Sequence, residues 1–158
     1  MADPDVKYDK SLKTAGRYDP EGTIHSWLSG LLPSIFHPGG TITVNPDNSA
    51  NVNTTVQHER VHAALDSLNG NGKLQQLNAS NPFYKQVAAK IMLEPNTDAN
   101  IEAPALAATG ESSQMGIPPI LSKQYMGYLQ DQLFKLDPNL GQAYSKLANP
   151  VDTSQVTQ

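Results

Sequence analysis

Three residues of one short segment have the types and the spacing of a metal site with a catalytic base. His58, Glu59 and His62 stand in the order H-E-x-x-H. In an α-helix, residues four positions apart lie on one face, about one turn apart, so both imidazoles can reach one tetrahedral metal ion. Glu59 lies about 100° further round such a helix, where its carboxylate can hold a zinc-bound water. The pattern predicts metal-assisted hydrolysis, because zinc lowers the pKa of its water and a carboxylate can accept the proton.

A helix that packs on a hydrophobic core must present these three side chains. Residues 54–68 contain neither glycine nor proline, and Asn53 is a suitable N-cap. Val61, Leu65 and Leu68 recur at positions i, i+4 and i+7, which predicts a buried stripe. The two histidines lie beside that stripe, so we expect them at the margin of the core, with Arg60 on the solvent side.

The remaining elements are predicted from turn residues and apolar spacing. Thr41–Val44 is the one convincing β-strand, since its β-branched residues stand between two clusters of turn residues. We expect further helices at about residues 24–32, 82–93, 98–109, 120–136 and 138–147. Residues 1–22 read as a polar N-terminal arm, residues 23–150 as a single domain, and residues 151–158 as a loose tail.

Composition excludes several classes of protein. The 158-residue chain has no cysteine, which excludes a disulfide framework, a cysteine nucleophile and an iron–sulfur cluster, and leaves any zinc to histidine and carboxylate ligands. A net charge of −4 gives no basic footprint for nucleic acid. No apolar run is long enough for a membrane span, and the first residues lack the features of a signal peptide. The lack of cysteine permits a location outside the cytoplasm, which we favour over the cytoplasm, and the oligomeric state is not predicted.

The motif and the strand before it give the chain a resemblance to a known family. Residues 41–66 resemble the zincin metallopeptidases, and a weaker resemblance extends to about residue 110. The resemblance implies a predominantly helical α+β fold, with a small sheet and edge strand beside the H-E-x-x-H helix and several C-terminal helices. It also implies a Zn²⁺ cofactor and a peptide or protein substrate that pairs with the edge strand. The residues of that strand are Thr41, Ile42, Thr43 and Val44.

The third metal ligand separates the subclasses of this family. Metzincins continue with a glycine and a third histidine, but Leu65 stands at the glycine position and no histidine follows His62. Similarity to the gluzincin arrangement therefore implies a glutamate from a later helix. Glu102, which small residues follow, is the first candidate; Glu111 or an aspartate remains an alternative. Glu94 is expected to cap a helix or face solvent.

Two further roles are predicted around the metal. Asp66 stands four residues after the second histidine and is expected to hold a ligand imidazole by its free N–H, although an exposed acid near a helix end is equally consistent. Peptide hydrolysis needs a donor for the developing oxyanion, for which Tyr125 or Tyr128 is preferred. A tyrosine at helical spacing also suits the core. Further candidates for the oxyanion donor are Tyr144, His25 and His37.

The sequence thus predicts a zinc-dependent metallopeptidase with His58, His62 and Glu102 as ligands and Glu59 as the general base. Two alternatives stay open. The chain could be a non-catalytic zincin-like domain that binds metal and a partner, or an amide hydrolase that acts on a cell-wall crosslink.

Overall fold

The computed structural model describes residues 4–20, 40–69, 71–92, 94 and 97–148. Contacts within the chain form two compact units, Met1–Asp66 and Ser67–Gln158, whereas the sequence predicted a single domain over residues 23–150. The helix predicted at about residues 24–32 and the tail at 151–158 lie outside the described residues.

The first unit contains a three-stranded sheet. Strand β1 is Asp5–Tyr8, β2 is Gly16–Asp19 and β3 is Thr41–Val44, in the order β1-β3-β2. Strand β3 pairs in parallel with β1 and antiparallel with β2. Residues 1–22 were expected to form an extended or loosely ordered arm, whereas the described part of this segment supplies two paired strands of the sheet.

The expectation that Thr41–Val44 is an edge strand is also wrong. Both of its sides are paired, and Ile42, Thr43 and Val44 are buried. A strand buried in this way is typical of the middle of a sheet. Its partners, D-V-K-Y and G-R-Y-D, are short and charged, the first largely exposed and the second mostly half-buried, which is typical of edge strands and hid them from pattern analysis.

Helix α1, Val52–Leu65, carries the H-E-x-x-H motif. It begins two residues earlier than predicted, because Asn51 rather than Asn53 is the N-cap and its side chain accepts a hydrogen bond from the Thr54 amide. A 3₁₀ turn, Asp66–Leu68, continues it. The predicted stripe is confirmed, since its three residues, Val61, Leu65 and Leu68, are buried. Helix α1 packs against β2 and β3, so the motif is carried on the sheet.

The regular elements described in the second unit are all helices. Asn81 and Asp98 cap two of its helices with their side chains, and Pro82 occupies the first turn after Asn81. Two short elements of this unit were not predicted, the helix Lys73–Asn78 and the 3₁₀ helix Glu111–Met115. In chain order the elements are α2 (Lys73–Asn78), α3 (Pro82–Ile91), α4 (Ala99–Thr109), a 3₁₀ helix (Glu111–Met115), α5 (Pro119–Leu136) and α6 (Pro138–Ala148).

A small sheet with mostly helical structure confirms the predicted fold class, predominantly helical α+β. Within the part of the chain that the structure describes, no helix combines the length and the apolar character needed to cross a bilayer.

Candidate metal centre

The three residues of the motif lie together in the folded chain. His58, Glu59 and His62 each offer one ligand atom, and these atoms all lie within 4.8 Å of one another. The two imidazole rings stand edge to face, with centroids 4.7 Å apart and planes at 79°. Helix α1 produces this arrangement directly, because its pitch brings positions 58 and 62 onto neighbouring turns of one face.

The three side chains are buried to different extents, as expected for a site at the margin of a core. Glu59 is buried, with 8% of its surface exposed, whereas His58 and His62 are half-buried. Arg60, the next residue, is exposed, as expected. A carboxylate removed from water is costly unless charges, hydrogen bonds or a metal compensate it, so a buried glutamate requires such a partner.

The donor set fits a divalent transition metal. Two imidazole nitrogens and one carboxylate oxygen are ligands that zinc accepts in tetrahedral sites, and imidazole also suits iron, nickel and copper. Because the cluster lies within 4.8 Å, its atoms can approach one ion with small side-chain adjustments. The structure therefore supports a metal site formed by these residues, without selecting the ion.

The other predicted acidic residues lie at helix ends. Asp66 ends α1, half-buried, and its backbone N–H bonds to the Ala63 carbonyl; its role beside an imidazole stays a prediction. Glu102 lies half-buried in the first turn of α4, in the second unit, and stays a prediction as third ligand. Glu111 accepts a hydrogen bond from the Thr109 hydroxyl at 2.7 Å.

The tyrosines proposed as oxyanion donors are engaged within the second unit. Tyr125 is fully buried, and its hydroxyl donates to Asn78 Oδ1 at 2.7 Å. Burial raises its pKa well above the ordinary value, so it is a neutral core residue. A hydroxyl without solvent access cannot meet a substrate, so the prediction for Tyr125 is corrected. The core role that the sequence also allowed is the one observed.

Tyr128 remains a prediction, although its hydroxyl donates to the Leu77 carbonyl at 2.8 Å and its side chain is partly exposed. Tyr144 is buried and donates to the Pro104 carbonyl at 3.0 Å, which gives it the same core role as Tyr125. His25 and His37 lie outside the described residues.

One residue beside the motif was missed by sequence analysis. Gly16, the first residue of β2, faces α1 so closely that a Cβ atom there would lie 3.1 Å from Glu59 Oε1. A glycine in a segment expected to be a loose arm carries no signal of such a contact. Only the pairing of β2 with β3, which the sequence did not reveal, places it there.

The chain matches no protein-family model, no curated protein and no solved structure.

Proposed function

We propose that this chain is a zinc-dependent metallopeptidase of the zincin type. The observation that supports the proposal most is the grouping of His58, Glu59 and His62, with the glutamate buried and both histidines half-buried on one helix. In this proposal the two histidines bind the ion and Glu59 acts as the base, whereas a purely structural site would use the Glu59 carboxylate only as a ligand. The lack of cysteine restricts zinc to the histidine and carboxylate ligands that are typical of catalytic sites.

The chain's own residues have defined tasks in this proposal. His58 and His62 hold the ion, and a bound zinc would supply Lewis-acid chemistry that polarises the substrate carbonyl and acidifies water. Glu59 accepts a proton from the water that attacks the carbonyl carbon. As the C–N bond breaks, the same carboxyl group returns the proton to the leaving amine nitrogen. Burial excludes competing water from this carboxylate and keeps it oriented.

The test compares two substitutions of the same chemical type at positions of different burial. Glu59→Gln keeps the size of the side chain and removes its basicity, so zinc content should be retained while turnover of an unfolded protein substrate falls roughly 10²–10⁴-fold. Glu94→Gln is the matched control, because Glu94 is exposed. Chelation should abolish wild-type cleavage, and added zinc should restore it.

Two results would contradict the proposal. Wild-type cleavage by Glu59→Gln would remove the assigned base. Zinc-loaded wild-type protein that cleaves no peptide bond would instead favour one of the two alternatives. An assay in parallel with a cell-wall amide crosslink separates them: cleavage favours an amide hydrolase, and no cleavage favours a non-catalytic metal-binding domain.

We further propose Glu102 as the third ligand. This proposal rests on the sequence resemblance alone. Glu102→Gln should weaken zinc binding at least tenfold in a chelator competition assay. Glu111→Gln is the comparison, since the same measurement assigns the ligand to Glu111 if that variant loses affinity and Glu102→Gln does not.

Substrate pairing is proposed for β2, because β3 lies in the middle of the sheet. Among the described strands β2 is at an edge, it contacts α1, and Gly16 within it approaches Glu59. An extended peptide can add to an edge strand through backbone hydrogen bonds. In a strand, every second backbone N–H points toward the neighbouring strand, and N-methylation removes that donor. In a series of peptide substrates N-methylated at successive amides, KM should therefore be raised at every second position. A KM that is insensitive to N-methylation would contradict pairing.

A further inference from the structure

Gly16 is required by packing and not by backbone conformation. The described glycines with positive φ are Gly40, Gly72, Gly110 and Gly116, so Gly16 has a backbone that other residues adopt. A Cβ at position 16 would nevertheless lie 2.7 Å from Thr55 Cγ2, and 3.1 Å from both Cγ and Oε1 of Glu59. The missing side chain therefore leaves the space that the Glu59 carboxylate and the Thr55 methyl group occupy.

The start of β2 is held in place by hydrogen bonds, so it cannot easily withdraw from α1. The carbonyl of Ala15 accepts from the Asn45 backbone N–H at 2.9 Å and from the Ser49 hydroxyl at 3.2 Å. The Ser49 hydroxyl in turn accepts from the Thr55 hydroxyl at 3.2 Å. These hydrogen bonds connect Ala15, the residue before Gly16, to Thr55, the helix residue that a Cβ atom at position 16 would meet.

A second set of bonds fixes the loop that leads into β2. The buried side chain of Asn45 donates to the carbonyls of Lys10 and Leu12, at 3.0 and 2.8 Å. Gly16 itself is paired in register with Val44. Because the backbone is held on both sides, an added methyl group at position 16 must be accommodated by the side chains of Thr55 and Glu59.

We propose that Gly16 is a positioning residue for Glu59: its lack of a side chain determines where the carboxylate of the general base lies. The effect on turnover rests on the proposed function, whereas the effect on the carboxylate itself does not. An enzyme whose base is displaced by a few tenths of an ångström to one ångström loses turnover because the proton acceptor no longer meets the reacting atoms.

The experiment separates the contact with Glu59 from the contact with Thr55. Thr55→Ser removes the methyl group that lies 2.7 Å from the added Cβ and keeps the hydroxyl that bonds Ser49. Gly16→Ala, Thr55→Ser and the double variant are therefore compared. Gly127→Ala is the matched control, since a Cβ there meets nothing within 4 Å.

The first readout needs neither zinc nor activity. The chain has five glutamates, so ¹³C labelling of glutamate side chains gives five carboxyl resonances, and Glu59→Gln identifies the one from Glu59. At fixed pH that resonance should move in Gly16→Ala and in the double variant. It should stay unchanged in Thr55→Ser and Gly127→Ala. An unmoved resonance in both Gly16→Ala variants would overturn the proposal.

The second readout is a split between kcat and KM in zinc-loaded protein. The double variant should recover thermal stability relative to Gly16→Ala, yet keep a kcat lowered roughly 10–100-fold with KM and zinc affinity unchanged. If Thr55→Ser restores kcat together with stability, Gly16 serves packing alone and the positioning role is wrong. If the wild-type chain has no peptidase activity, the proposed function fails, but the carboxyl resonance still decides the inference about Gly16.

Discussion

The two units bury polar side chains in different ways. In the second unit, Tyr125 and Tyr144 are fully buried, and each hydroxyl donates to one defined acceptor. In the first unit, helix α1 instead buries the carboxylate of Glu59 beside two imidazoles. A neutral hydroxyl with an acceptor is inexpensive to bury, whereas a carboxylate is costly. The contrast indicates that burial of Glu59, unlike burial of the two tyrosines, costs free energy of folding unless a partner or a metal ion compensates it.

The largest effect is expected from removing both imidazoles. The double variant His58→Ala, His62→Ala should lose zinc binding altogether. The single variants should lose more than the roughly 10–100-fold that removal of a residue supporting a ligand costs. Equilibrium dialysis with zinc measures this. Arg60→Ala, on the exposed side of the same helix, should bind zinc as the wild type does. Zinc affinity retained in the double variant would end the assignment of binding to the first unit.

The next effect is on stability, from the buried tyrosine of the second unit. Tyr125→Ala should lower the free energy of unfolding by about 3–5 kcal/mol, since it leaves a large cavity. Tyr125→Phe should cost about 1–3 kcal/mol, because Asn78 Oδ1 loses its donor in a buried site. Urea denaturation gives both values. Tyr128→Phe, at a partly exposed hydroxyl, should cost less than Tyr125→Phe, and equal costs would argue against burial as the cause.

Alkaline pH tests the same tyrosines together. Burial raises the pKa of both Tyr125 and Tyr144 above the ordinary value of 10.0. Above pH 10 the unfolded chain loses these protons first, so the unfolded state is favoured; below pH 10 the stabilisation is fully present. The free energy of unfolding should fall by up to about 1.4 kcal/mol per pH unit for each tyrosine. Urea midpoints from pH 9 to 11 should fall less steeply in a Tyr125→Phe, Tyr144→Phe variant.

The smallest effect compares the helix caps of the two units. Asn81 accepts from the amides of Phe83 and Tyr84, whereas Asn51 accepts from the Thr54 amide. Each alanine substitution should cost about 1 kcal/mol, with Asn81→Ala the more costly. Differential scanning calorimetry shows whether the two variants shift one shared transition or two separate ones. A single shift common to both would mean that the units unfold together despite their different cores.

Much of the helical structure could be predicted from the sequence, because its signals are local. Asn81 followed by Pro82 marks a helix start by residue type alone, and the next start was predicted at Asp98 or Asn100, of which Asp98 is the cap. The H-E-x-x-H grouping is equally local, since helical pitch is enough to bring the histidines together. The sheet could not be predicted, because β1 and β2 have charged, irregular sequences and acquire their meaning only by pairing with β3.

The same distinction explains which site residues could be predicted. The grouping of His58, Glu59 and His62 depends on one helix. The contact between Gly16 and that helix depends instead on the pairing of residues 16 and 44. Tyr125 was assigned to the site because helical spacing gives the face of a helix and not its neighbours. Its acceptor, Asn78, lies 47 residues away in sequence.

The strand order β1-β3-β2 has a consequence for how the chain acquires its structure. Strands β1 and β2 do not pair with each other, so neither has a partner in this sheet until Thr41–Val44 has been synthesised. Helices of the second unit form from contacts within a few residues, whereas pairing of β1 with β3 joins positions 36 residues apart. We therefore expect the sheet to be the slower step of folding, with Glu59 reaching its buried position only after β3 has inserted between its neighbours.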